Sequence, residues 1–505
     1  MKAAYFKEKH KYKFNNIVEQ LNKCGANETP DEHLIIQKLI LLQIIKKVSK
    51  DYVDGFELIE NYETNLPVEK DEQAFYVFNY VGIIKVNGVY IICYPKYFSE
   101  VPNRSVPSAS KLSYVIKSIE KYKKSKGYRQ EGYVQDADLN KEGDFFAIAI
   151  ALLNDYYENG LYTNSKKVIE NNGNGDIDWD RTIESNIAYI SNGIPYYLDY
   201  KTSRRKVDPK DYFTEIHKNI LNDIASKLTG EDDDSSVSVD MSELLGVPIM
   251  RFETDNVVDL NDDEVKEYVS NKIDSELKVQ FVSRKQELLK IFKHYISGFF
   301  GNDDKSEFYF GTNSYHMVWE NVCKTVFNDC LNKSVNELNG KYKIFKNLPS
   351  GRSKKVIDLI SKPMWSYAQK ESDDTLIPDG ICIGSKNKKT TFNIIDAKYY
   401  IPVLEKDKKP MGVPGIESIT KQYLYQMAYE QYLQPRFYKS ISNYFLVPYD
   451  PPYNLLDKKL VTNKGEVKLD FMPKELSPIR VRYLKADIML KAYLSERILA
   501  VNELD

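Results

Sequence analysis

Cysteine and histidine are both scarce in this 505-residue chain, at five each. The thiols Cys24, Cys93, Cys323, Cys330 and Cys382 are odd in number and form no CxxC pair, which argues against a disulfide framework or a tetrahedral zinc site. The histidines show no HxH or HxxxH spacing, so a His- or Cys-dependent hydrolase is not expected. No run approaches the roughly 18 uncharged apolar residues of a membrane helix. The first residues, MKAAYFKEKHKYKF, lack the apolar stretch of a signal peptide. A chain without a membrane partner, in a reducing cytoplasm, is the expectation. A GxxxxGK[ST] phosphate loop is also missing, because the glycines at Gly173 and Gly175 have no Lys-Ser/Thr after them. Any nucleotide hydrolysis must come from another chain. Finally, 71 Lys+Arg against 73 Asp+Glu leave a net charge of -2, without the basic excess of proteins that coat nucleic acid. A local basic groove remains compatible with that balance.

What the chain does have is apolar and aromatic residues, 42% and 13%, with 39 tyrosines, too many for a disordered chain. Its length suits roughly three units with their own cores. Residues 32–50, EHLIIQKLILLQIIKKVSK, read as one helix with a wide apolar face. Residues 75–95 then carry two β-rich runs around Asn87-Gly88, a hairpin signal because both turn residues tolerate positive φ. Helices are expected over 108–126 and 143–160, and a glycine-containing loop over 170–183. GEDDDSSVS at 230–238 reads as an acidic linker, followed by helices at 262–275 and 278–297 and a turn at 301–307. Beyond it come a helix near 314–331, strands at 376–383 and 391–398, a helix at 416–433 and a strand at 443–448. The last residues supply strands at 459–471 and 479–483 and a helix at 484–499, which makes the C-terminal part α/β.

The stretch that carries chemistry is LIPDGICIGSKNKKTTFNIIDAKYY, residues 376–400. Asp379 opens one apolar strand, and Asp396 and Lys398 close a second, with a polar turn of hairpin length between them. Period-2 alternation puts Asp396 and Lys398 on one face and Ala397 on the other. Two acids and a lysine in one pocket suit phosphodiester hydrolysis. The carboxylates can hold Mg2+, a hard cation that prefers oxygen and keeps several waters. A neighbouring ammonium can orient the attacking water or neutralise charge developing on the phosphoryl oxygens.

Pro378-Asp379, sixteen residues, then Asp396-Ala397-Lys398 resembles the PD-(D/E)xK nuclease signature in its D-x-K form. That resemblance implies a mixed sheet flanked by helices, preceded here by an N-terminal α+β region. It implies a further acid on the preceding helix, for which Glu320 in SYHMVWENVCKTVF is the candidate metal ligand. It also implies a Gln or Tyr on the following helix, where Gln422, Gln426 and Tyr429 share one face and Gln422 is the candidate site residue. More of the chain is similar to LlaJI-type restriction endonuclease subunits, relatives of the McrC subunit of McrBC-type systems. The similarity rests on YVGIIKV and YIICYPKYF, NGNGDIDWDRTI, FGTNSYHMVWENV, the PD…DAKYY hairpin and KQYLYQMAY. It implies a DNA-cleaving subunit that works with a separate McrB-like AAA+ GTPase, with GTP on that partner. The implied layout is a partner-binding α+β domain at 1–115, a mostly helical middle at 116–300, a nuclease domain at 301–450 and an extension at 451–505.

Other polar clusters are read as structural. Asp176, Asp178 and Asp180 imitate a calcium loop, but Arg181 stands where Gly is needed and Ile187 where a bidentate Glu belongs. Trp179 between those acids is expected as a buried anchor. Lysine-rich clusters at 121–129, 201–206, 386–389 and 406–409 are expected as solvated faces, the last two being the better placed for phosphate contacts. Two competing readings stay open at this point: a non-catalytic adaptor that stimulates a partner NTPase, and a stand-alone repair or recombination nuclease.

Overall fold

The computed structural model describes residues 3–24, 32–49, 74–99, 107–125, 144–208, 210–229, 241–260, 262–297, 308–346, 354–367, 370–386, 389–402, 409–451 and 459–505. The chain is mixed α/β, with helices flanking its sheets. Its residues form two compact units: one built from 144–236 and 246–303, the other from 2–143, 237–245 and 304–505. The expected linker 230–238 and turn 301–307 lie outside the described residues.

The smaller unit packs the helices Asp144–Asn159, Tyr212–Thr229, Asp263–Val279 and Ser283–Ser297 beside a sheet of Ser165–Asn171, Lys201–Val207 and Asp176–Ile177. Trp179 is not the buried anchor expected of it: it is 51% exposed, with Tyr200 edge-on at 5.8 Å between ring centroids. The anchor is Thr182, fully buried, whose hydroxyl donates to the Asp178 carbonyl at 2.8 Å and accepts from the Lys201 amide at 2.9 Å. Asp178 caps the short helix Trp179–Ser185 through the Arg181 amide, so it acts as a helix cap.

In the larger unit, a four-stranded sheet runs in the order Ala3–Lys7, Val89–Tyr94, Val81–Val86, Phe308–Thr312. Asn87 and Gly88 take φ of 46° and 75°, as a type I′ turn requires. Strand 308–312 pairs with strand 81–86 at facing glycines, Gly82 and Gly311. A Cβ on Gly82 would stand 2.1 Å from the Phe310 carbonyl oxygen, so the two backbones meet where no side chain fits. The helix expected over 32–50 stops at Leu41, and Ile45–Val48 is a strand paired with Phe75–Phe78. Gln43, at φ 55°, turns the chain between them, and the β-branched ends of IKKV pack better in a pleated sheet than in another helical turn.

The second sheet of this unit has five strands in the order Gly380–Lys386, Lys389–Ala397, Ile441–Tyr449, Ile479–Lys485, Val461–Val467. The three central strands are parallel and the two edges antiparallel. Helix Ile416–Glu430 is the crossover between the first parallel pair. Its Tyr425 and Tyr429 share a core with Phe392 and Ile394. Helix Tyr315–Val326 packs through buried Trp319, whose indole N–H donates to the Leu446 carbonyl at 3.0 Å. Segments 1–115, 301–450 and 451–505 therefore contribute to one compact unit: residues 308–312 complete the N-terminal sheet, and 461–467 and 479–485 complete the second.

Candidate active site

Asp379 stands where the chain enters the first hairpin strand, and Gly380 pairs with Ile395 in the antiparallel register. The same register brings Asp379 opposite Asp396, close enough that the charge of one carboxyl acts on the other. The Ala397 amide donates to Asp379 Oδ2 at 2.8 Å. Gly380 permits this close approach, since a Cβ there would lie 2.9 Å from Ile395 Cγ1. Burial, and then the negative charge of Asp396, push the Asp379 carboxyl from 3.8 up to about 7. Its contacts with the Ala397 amide and Lys398 act in the opposite direction.

Lys398 continues the parallel ladder, its amide donating to the Leu446 carbonyl at 2.9 Å. Its side chain turns to the Asp396 face: Nζ is 2.9 Å from Asp396 Oδ2, donates to Ser418 Oγ at 3.3 Å, and sits 5.5 Å from the centre of the Phe445 ring. Asp396 is 7% exposed, so this ion pair is largely shielded from water. The arrangement confines two carboxyl groups and one ammonium at the open end of a hairpin.

Other sequence-derived candidates fall at different distances from this trio. Glu320, on helix Tyr315–Val326, is half-buried and ion-paired with Lys324 one turn on. Its charge is felt by Cys323 together with those of Asp379 and Asp396. Among the described residues, however, no three His, Cys, Asp or Glu side chains stand close enough to hold a metal ion. The structure thus brings Asp379, Asp396 and Lys398 together and leaves Glu320 outside direct ligand spacing. Gln422 is fully buried: its Nε2 donates to the Ile394 carbonyl at 3.2 Å, while its Oε1 is buried without a partner. Gln426 accepts from Asn443 Nδ2 at 2.6 Å. Both amides therefore face the sheet. Lysine cluster 386–389 and residues 406–408 of the other cluster have side chains outside the described residues.

Two contacts of the site carried no assignment from the sequence. Ser418 had no signal at all, being an ordinary polar residue near a helix start. Tyr399 could have been found by alternation, which turns it away from Lys398; it reaches Glu8, 391 residues earlier, through a buried hydrogen bond.

The LlaJI restriction endonuclease profile matches residues 80–358 and 343–487. The chain belongs to the LlaJI restriction endonuclease family. It is a restriction-system subunit. This LlaJI-family chain is 28% identical over 454 residues to the type II restriction enzyme BsuMI component YdjA of Bacillus subtilis (strain 168), covering 86% of this chain and 84% of that protein. It is similar to a chain of the half-complex of Thermococcus gammatolerans McrB AAA+ hexamers with bound McrC, at 12% identity and TM-score 0.35, over 98% of this chain and 99% of that one. A second likeness, to a chain of the cryo-EM structure of the T. gammatolerans McrBC complex, has 13% identity and TM-score 0.23, over 58% and 79% of the two chains. Among the described residues of the LlaJI-family chain, no helix is long and apolar enough to cross a membrane.

Proposed function

We propose that this chain is the Mg2+-dependent DNA-cleaving subunit of its restriction system, with a PD-(D/E)xK centre formed by Asp379, Asp396 and Lys398. The observation that carries the reading is the pair of neighbouring buried carboxyls with Lys398 ion-paired to Asp396. Two neighbouring acids, one pushed up to about 7, form an all-oxygen donor set that a hard divalent cation would satisfy. Asp379 and Asp396 would hold the ion, and Glu320, beyond direct ligand spacing, would act through water. When bound, Mg2+ supplies Lewis-acid activation of the phosphate and a more acidic water.

The chain's own residues do the rest. Lys398, steadied by Asp396, Ser418 and Phe445, orients the nucleophilic water and offsets charge on the phosphoryl oxygens. Gln422 fixes the strand two residues before Asp396. The partner we propose is an McrB-like AAA+ GTPase, because the sequence holds no phosphate loop and its relatives include a restriction enzyme component. DNA is the substrate on this reading. Incubating the chain with plasmid and Mg2+, with and without that GTPase, tests it: cleavage lost on adding a chelator is expected, and stimulation of the GTPase without any cleavage would indicate a non-catalytic adaptor instead.

A further inference from the structure

The chain just beyond the acid–lysine trio is tied to a distant part of the same unit. Glu8 follows strand Ala3–Lys7, and its backbone is fixed: its amide donates to the Tyr94 carbonyl at 2.9 Å, and it bridges to Phe78. Its side chain is buried, 4% exposed, and one oxygen, Oε2, accepts both the Tyr399 hydroxyl and the Lys96 amide. Lys96 Nζ lies 4.7 Å from the centre of the Tyr399 ring, which also packs against Tyr97 and against Tyr315 at the start of helix Tyr315–Val326. Three consecutive residues therefore each reach a carboxyl group: Ala397 N that of Asp379, Lys398 Nζ that of Asp396, and Tyr399 OH that of Glu8.

We infer that Glu8 and Tyr399 are positioning residues for the nuclease centre, fixing the twist of segment 397–399 so that Lys398 stays on the Asp396 face. The inference rests on the nuclease reading above. Stability alone does not ask for such a pair, since a buried carboxylate costs desolvation and an apolar pair of similar volume commonly packs as well or better. What an oxygen acceptor adds is direction. One oxygen that receives two donors allows one placement of the tyrosine, and a rotation that broke it would move Ala397 and Lys398 together.

The test is steady-state plasmid cleavage by the full chain with Mg2+ and its AAA+ partner, comparing wild type with Tyr399→Phe, Glu8→Ala and Glu8→Gln, and with Lys398→Ala as the inactive control. Tyr399→Phe keeps the ring contacts and removes only the hydroxyl, so kcat should fall about tenfold with KM for DNA and partner binding unchanged and only a small drop in Tm. Glu8→Ala should match it in kcat and KM, with a larger drop in Tm from the emptied site. Glu8→Gln, whose amide oxygen can accept the same two donors, should stay within about twofold of wild type. Wild-type kcat in both Tyr399→Phe and Glu8→Ala would overturn the inference, as would losses of kcat, KM and Tm in parallel across all three variants. A wild-type chain that does not cleave at all would instead remove the nuclease reading beneath it.

Discussion

Asp379 is the residue at which protonation and stability meet. Its carboxyl ordinarily titrates at 3.8 and here is pushed up to about 7, by burial first and by Asp396 second. Between those values the folded chain keeps a proton that the unfolded chain has released, so its contribution to metal-free stability falls as pH rises from about 4 to about 7 and is flat above. Thermal melts at pH 5 and pH 8 should show this as a pH-dependent loss of Tm that shrinks in Asp379→Asn. An unchanged pH slope in that variant would contradict the assignment. A divalent cation needs both carboxylates ionised, so added Mg2+ should raise Tm more at pH 8 than at pH 5. Lys398 has a different signature: replacing it should leave metal binding largely in place and remove cleavage.

At the scale of elements, the site depends on packing behind the central strands. The Leu446 carbonyl accepts both the Lys398 amide and the Trp319 indole N–H, which joins helix Tyr315–Val326 to the strand end that carries Lys398. Trp319→Phe should cost about 1 kcal/mol or more from the lost hydrogen bond and the space left in the core, measurable by chemical denaturation. Gly82→Ala should cost more, because its Cβ would meet the backbone of residues 310 and 311, with nothing flexible to yield. Elements specified by local chemistry were legible in the sequence. Asn87-Gly88 sets its own turn, and the hairpin at 380–397 follows from two apolar runs around a polar loop. Alternation alone put Asp396 and Lys398 on one face, and the ion pair agrees with it. Elements decided by distant partners were not legible. Ile45–Val48 leaves the helical pattern because Phe75–Phe78 is there to pair with it. Trp179 stays exposed because Thr182 already anchors its loop, and Glu8 finds Tyr399 only in the folded chain.

For the whole molecule, the near-neutral charge of -2 becomes a statement about where DNA affinity resides. A subunit whose acids include proposed metal ligands, and whose lysines are largely matched by acids, should hold DNA weakly alone and gain affinity from its partner. Filter binding across a salt series should give a shallow dependence of log Kd on log salt for the isolated chain and a steeper one for the complex. Equal affinity and slope in the two states would place the DNA-binding surface on this chain. The most direct test of the central claim is cleavage of supercoiled plasmid by the full chain with Mg2+, GTP and the AAA+ partner, comparing wild type with Lys398→Ala and Asp396→Ala. The account predicts cut plasmid from wild type, at least about a hundredfold less from either variant, and an unchanged partner complex. Cleavage by both variants at the wild-type rate would contradict it.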